Sequence, residues 1–128
     1  MFKKNEMTGL QLQDYYESYQ IAREGIVDSI SKLRNRNRQP NVSPGEVAEN
    51  DRRILVLTAD KALLDAKLAA FDANKDAINP PSTAQLDLLK QLIAAVDKLN
   101  TNQKILDEII KLSTDALTEF NKIHPNQA

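Results

Sequence analysis

Apolar residues recur along this chain at helical spacing in three long blocks. In the first, roughly residues 9 to 36, the stripe is Leu12, Tyr16, Tyr19, Ile26, Ile30 and Leu33, with Arg23 in the vacant slot and Ala22 beside it. Steps of three and four residues keep these side chains on one helix face, as in a heptad seam. The second block, roughly 44 to 78, carries Ile54, Leu57, Leu64, Leu68, Phe71 and Ile78, with Lys61 and Lys75 in the seam. Beside it runs a row of small residues, Ala59, Ala62, Ala66, Ala69, Ala73 and Ala77. That row reads either as a helix flank of good propensity or as a face for close helix packing. In the third block, roughly 83 to 123, Leu89, Leu92, Val96, Leu99, Leu106, Ile110, Leu117 and Phe120 hold one phase. Only Asn100-Thr101-Asn102-Gln103 interrupts it, without Gly or Pro. One continuous helix is therefore expected, and a break near Asn100, giving four helices, is the alternative.

Start and stop signals bracket these blocks. Thr8 with Gln11, Ser43 with Glu46, and Ser82 with Gln85 have capping-box spacing, and Pro44 sits at a first helical position. Asn35, Asn37 and Pro40 are the expected stop of the first helix, Asn79-Pro80-Pro81 of the second, and His124-Pro125 of the third. Short connections make neighbours antiparallel. The fold class expected is thus all-α, an antiparallel bundle of three long helices with coiled-coil-like heptad packing, forming a single domain over residues 1–128. At 1.5 Å per residue the helices would be about 40, 50 and 60 Å long. The longest would leave apolar seam uncovered, and such a seam is usually buried against a partner, often a second copy.

Composition narrows the chemistry. There is no Cys, which excludes disulfides, thiolate catalysis and Cys-based zinc sites. Seventeen basic and eighteen acidic residues give a net charge of -1, unlike a general polyanion binder. No apolar run is long enough for a membrane span, and MFKKNEMTG has no apolar stretch behind its lysines, so a cytoplasmic location is expected, with export by a signal-less route as the alternative. With three glycines, phosphate-cradling loops are absent. The single His, His124, precedes Pro125 near the end of the chain, where it reads as a helix-terminal residue beside the C-terminal dipole. As a catalytic base it would need a partner and a pocket that a frayed terminus does not supply. Glu-x-x-His pairs, the bundle-type metal ligands, are missing. No catalytic residues, cofactor or metal are expected. Asp107 with Lys111 and Asp72 with Lys75 read as surface helix pairs.

Two surfaces are candidates for partner binding. Tyr15, Tyr16 and Tyr19, in QDYYESYQ, read as core-face aromatics with hydroxyls reaching water, or as anchors for a partner, since Tyr is enriched at interface hot spots. Arg34, Arg36 and Arg38 alternate at the end of the first helix, and Arg52 and Arg53 lie near the same end of the bundle. With Lys32 they outnumber Glu46, Glu49 and Asp51 by three. Such charges complement helix dipoles, or they contact an acidic protein face or a nucleic-acid backbone. Aromatic interleaving, the mark of single-strand binding, is absent.

The stretch NPPSTAQLDLLKQLIAAVDKLNTNQ, with LTEF further on, resembles the second half of type III secretion needle subunits. The likeness covers residues 79 to 120. Because this chain is much longer than a needle subunit, the family is not assigned. The resemblance implies only that helical secretion components and their chaperones have this look. The expected function is a non-enzymatic protein-binding bundle: an export chaperone, adaptor or assembly subunit. Its partner would be another protein or a second copy of itself. The alternatives are a small nucleic-acid-associated regulator using the arginines, and an inhibitor or immunity protein that plugs a partner's site.

Overall fold

The computed structural model describes residues 1–99 and 103–126, whose regular secondary structure is helical apart from one isolated bridge. After a single 3₁₀ turn at Lys4–Glu6 come four helices: α1 Gly9–Asn37, α2 Pro44–Asp72, α3 Thr83–Asp97 and α4 Gln103–Ile123. The four-helix alternative is therefore the observed one, and a continuous third helix is not. α3 closes at Lys98, α4 begins at Gln103, and the two helices pack against each other. Asn100, Thr101 and Asn102, where the sequence places the break, lie outside the described residues.

The three capped starts form as their residues dictate. Thr8 Oγ1 accepts from the Gln11 amide at 3.2 Å and Gln11 Oε1 accepts from the Thr8 amide at 3.0 Å. Ser82 and Gln85 exchange the same pair of bonds at 3.1 and 2.9 Å. Ser43 Oγ accepts from the Glu46 amide at 3.1 Å, while the Glu46 carboxylate turns to Arg36.

α2 stops earlier than the prolines suggest. Asn74 adopts a left-handed conformation at φ 59°, Lys75 N–H donates to the Ala70 carbonyl at 2.9 Å, and Asn74 N–H to Phe71 at 2.9 Å. This is a Schellman stop with Asn in the position that favours Gly or Asn. Residues 73–82 then run as irregular chain. Within them Ile78 pairs antiparallel with Phe2, exchanging two backbone bonds at 2.8 Å.

α1 is the central helix and packs against α2, α3 and α4. That role explains its buried set: Tyr15, Ser18, Tyr19, Ala22, Gly25, Ile26, Ser29, Ile30 and Leu33. The small members allow close approach on the side of α3 and α4. A Cβ on Gly25 would collide with Ile93 Cδ1. Ser29 Oγ lies 2.5 Å from Ser113 Oγ, and each hydroxyl bonds the Gly25 carbonyl. In α3 the buried face is Leu86, Leu89, Ile93 and Val96; in α4 it is Leu106, Ile109, Ser113, Ala116, Phe120 and Ile123, with Glu119 at its edge. Leu92, Leu99, Ile110 and Leu117, expected in the seam, are half-buried at its edge.

Candidate functional site

An aromatic cluster closes one end of the bundle. Tyr15 stacks on Phe71 with ring centroids 4.1 Å apart, and Phe120 and His124 lie about the same ring at 6.0 and 5.8 Å. His124 is fully buried, which corrects its reading as a frayed terminal residue. Its Nδ1 is 2.7 Å from the Tyr15 hydroxyl and its Nε2 is 2.8 Å from Asp76 Oδ2. Asp76 has no proton to offer as a carboxylate, so Nε2 donates to it and Nδ1 accepts from Tyr15. Burial holds the imidazole below its ordinary pKa against the pull of Asp76, and burial pushes the Tyr15 phenol up.

Lys67 completes this end. Its Nζ donates to Asn121 Oδ1 at 2.8 Å and to the His124 carbonyl at 2.9 Å. Asn79 adds bonds from its amide to the Ile123 carbonyl and from Nδ2 to the Lys122 carbonyl, at 2.7 and 3.0 Å. The C-terminal carbonyls of α4 are thus met by groups from elsewhere in the chain. Both ring nitrogens of His124 are hydrogen-bonded within the chain and the ring is fully buried, so the array latches the end of α4 to α1 and to the segment after α2. Periodicity carried no signal for it, since Asp76 and Asn79 lie outside any helix.

The other tyrosines face α2. Tyr16 hydroxyl donates to Asp72 Oδ1 and Tyr19 hydroxyl to Asp65 Oδ1, each at 2.5 Å. Arg23 Nε reaches the same Asp65 oxygen at 3.2 Å, and Lys4 Nζ reaches Asp72 at 3.5 Å. Burial pushes Tyr19 up to about 12, with the Asp65 bond adding to it. All three hydroxyls, expected to reach water, are engaged within the chain. Asp72 pairs with Lys4 rather than with Lys75, and Asp107 with Arg53 at 2.7 Å rather than with Lys111.

The five arginines separate into two sets. Arg36 holds Glu46 through two bonds, at 2.6 and 3.0 Å, and keeps that carboxyl below its ordinary range. Arg52 grips Glu49, and Arg53 bridges Glu49 and Asp107. Arg34 and Arg38 differ. The helix runs on to Asn37, so Arg36 lies within it and Arg38 caps it. Arg34 and Arg38 stand one turn apart, and no carboxylate among the described residues lies within ion-pair distance of either.

A carboxylate cluster joins α1 to the end of α3. Ligand atoms of Glu24, Asp28 and Asp97 lie within 4.8 Å of one another, the spacing a cation would need. Burial pushes Asp28 up to about 6, with the hydrogen bond to Asp97 as the next cause, so this carboxyl takes up a proton at mildly acidic pH.

The remaining feature is the outer face of α2. Leu55, Val56 and Leu63 are 71, 50 and 45% exposed, and Ala59, Ala62, Ala66, Ala69 and Ala73 are exposed between and beyond them. From Ala59 to Ala73 the alanine row is left uncovered by the described residues, while Ala77 lies beyond the end of α2 and is half-buried. The row is continuous with the exposed leucines and valine, which the sequence pattern did not single out. No helix among the described residues is long and apolar enough to cross a membrane. Comparison with family models, curated proteins and solved structures returns no match.

Proposed function

We propose that this chain is a non-enzymatic, protein-binding helical bundle of the adaptor, assembly-subunit or export-chaperone kind, working in the cytoplasm. It docks through the outer face of α2. One observation carries the reading: α2 is apolar on both sides yet covered on one. Its inner face, Ile54, Leu57, Leu64 and Phe71, meets the core, while Leu55, Val56, Ala59, Ala62, Leu63, Ala66, Ala69 and Ala73 face outward. An exposed apolar stripe bordered by charged residues marks a site of protein–protein contact. Alanines at three- and four-residue spacing admit another helix backbone closely, which favours a helix as the occupant.

A second copy suits this face by shape. The stripe is bulky at Leu55 and Val56 and small at Ala69 and Ala73. A two-fold axis near residue 64 sets each bulky end on the partner's small end, as isologous pairing requires. The acidic border of the stripe does not oppose this, because Asp65 and Asp72 are compensated by Arg23 and Lys4. From 55 to 73 the stripe is about 27 Å long. Its contact would be at the low end of specific interfaces, which makes the pairing weak and reversible. The full burial of His124, which keeps its ring away from any substrate, supports the non-enzymatic part of the reading.

The absence of Cys allows a clean test. Mixed Leu55→Cys and Ala73→Cys copies, mildly oxidised, should form the mixed disulfide faster than either like pair. Equal rates for all three pairs would exclude the antiparallel arrangement.

A further inference from the structure

The groove between α1 and α2 at the arginine end has a volume of about 390 Å³. Its walls bring together Arg34 and Arg38 from the end of α1 and Lys61 from α2, over Val27 and Ile30. No carboxylate lines it, and none among the described residues lies within ion-pair distance of the three cations. Every other arginine in the chain is neutralised by a carboxylate: Arg23 by Asp65, Arg36 by Glu46, Arg52 by Glu49, and Arg53 by Glu49 and Asp107. We infer that this groove is a binding site for an acidic peptide segment carrying an apolar side chain. The site stands independently of the outer α2 face.

The α1 dipole accounts for part of the arrangement, since cations near a helix C-terminus are favourable. It does not account for Lys61, which lies mid-way along α2 and turns into the same space. Nor does it account for the floor. Val27 is exposed in a groove that is cationic at its rim. Carboxylates one helical turn apart, or on alternate residues of an extended peptide, match the Arg34–Arg38 spacing. Each guanidinium can take a carboxylate in a bidentate grip, and Lys61 supplies a point charge for a third. A peptide's apolar side chain would cover Val27 and Ile30, for which a phosphodiester backbone has no counterpart. No aromatic ring lines the groove for bases to stack on.

The test uses the full chain and a fluorescein-labelled synthetic peptide of alternating Asp and Glu with one central Leu. Single-stranded DNA of similar charge and inorganic phosphate serve as comparison probes. Expected is saturable peptide binding that weakens with salt. Arg34→Glu/Arg38→Glu should weaken it by about tenfold or more, mainly through slower association. Lys61→Gln, on the other helix, should weaken it by a smaller factor, and Arg52→Glu should leave it unchanged. Helical circular dichroism of each variant verifies folding. If the double variant fails to fold, Lys61→Gln decides: binding as tight as that of the native chain overturns the inference. The central Leu→Ser peptide should bind more weakly than its parent. No peptide binding overturns the inference. So does DNA binding tighter than the peptide at equal salt and lost in the double variant, or displacement of the peptide by phosphate at low millimolar concentration. Failure of α2 self-pairing alone would leave these results unaffected.

Discussion

His124 Nδ1 lies 2.7 Å from the Tyr15 hydroxyl across 109 positions of sequence, which ties the end of α4 to the start of α1. With Nε2 on Asp76, the neutral imidazole meets a donor on one side and an acceptor on the other. His124→Ala leaves the buried Tyr15 hydroxyl and the half-buried Asp76 carboxylate each short of a partner, at a cost of about 2–3 kcal/mol. Chemical denaturation at pH 8 measures that loss.

The same residue makes stability depend on pH. Burial depresses the folded-state pKa below the ordinary value of about 6.5. Below that pH the unfolded chain takes up a proton that the folded chain resists. The contribution of His124 is therefore complete above about pH 6.5 and is lost as pH falls below it. The difference in denaturation midpoint between the native chain and His124→Ala should shrink from pH 8 to pH 5. A constant difference would mean that the imidazole does not titrate against folding.

Asp28 acts in the opposite direction. Its folded carboxyl is raised from 3.8 to about 6, so the folded chain holds a proton that the unfolded chain has released. Its contribution is complete below about pH 3.8 and is lost as pH rises through about 6. Asp28→Asn cannot ionise and should remove that loss. Its stabilising effect relative to the native chain should be larger at pH 7 than at pH 4, as read from paired urea melts.

Gly25 separates propensity from packing. Replacing a mid-helix Gly by Ala favours the helix by about 1 kcal/mol. The new methyl would meet Ile93 Cδ1 where α1 and α3 approach, and overpacking costs about 1–3 kcal/mol. Gly25→Ala should therefore lower the thermal midpoint, and Ile93→Val in the same chain should restore most of it. A midpoint raised by Gly25→Ala alone would show that α3 yields at no cost.

The capped starts at Thr8, Ser43 and Ser82 were legible because each depends on residues three apart in sequence. The stop of α2 was not, since Asn74 looks like any polar helix residue until its backbone turns left-handed. The end of α3 was hidden by the apolar continuity from Val96 and Leu99 to Leu106. Counting apolar residues also hid the inner side of α1, where Ser18, Gly25 and Ser29 pack because they are small. The arginines were visible as a cluster. Which of them remained unneutralised depended on Glu46, Glu49 and Asp107, and Lys61 came to Arg34 and Arg38 only through the packing of α2 on α1. Likewise the alanine row was legible as a row, but that it faces outward beside Leu55 and Leu63 needed the tertiary structure.

Self-pairing through the outer face of α2 is tested most directly by sedimentation equilibrium. The native chain should shift from 14.4 kDa towards twice that mass as concentration rises into the high micromolar range. Ala62→Arg puts a charge in the middle of the stripe at an exposed position of good helix propensity, so it should keep the native melting midpoint and remain at 14.4 kDa. A native chain that stays monomeric at every concentration would contradict self-pairing through α2. A dimer that persists unchanged in Ala62→Arg would place the interface elsewhere.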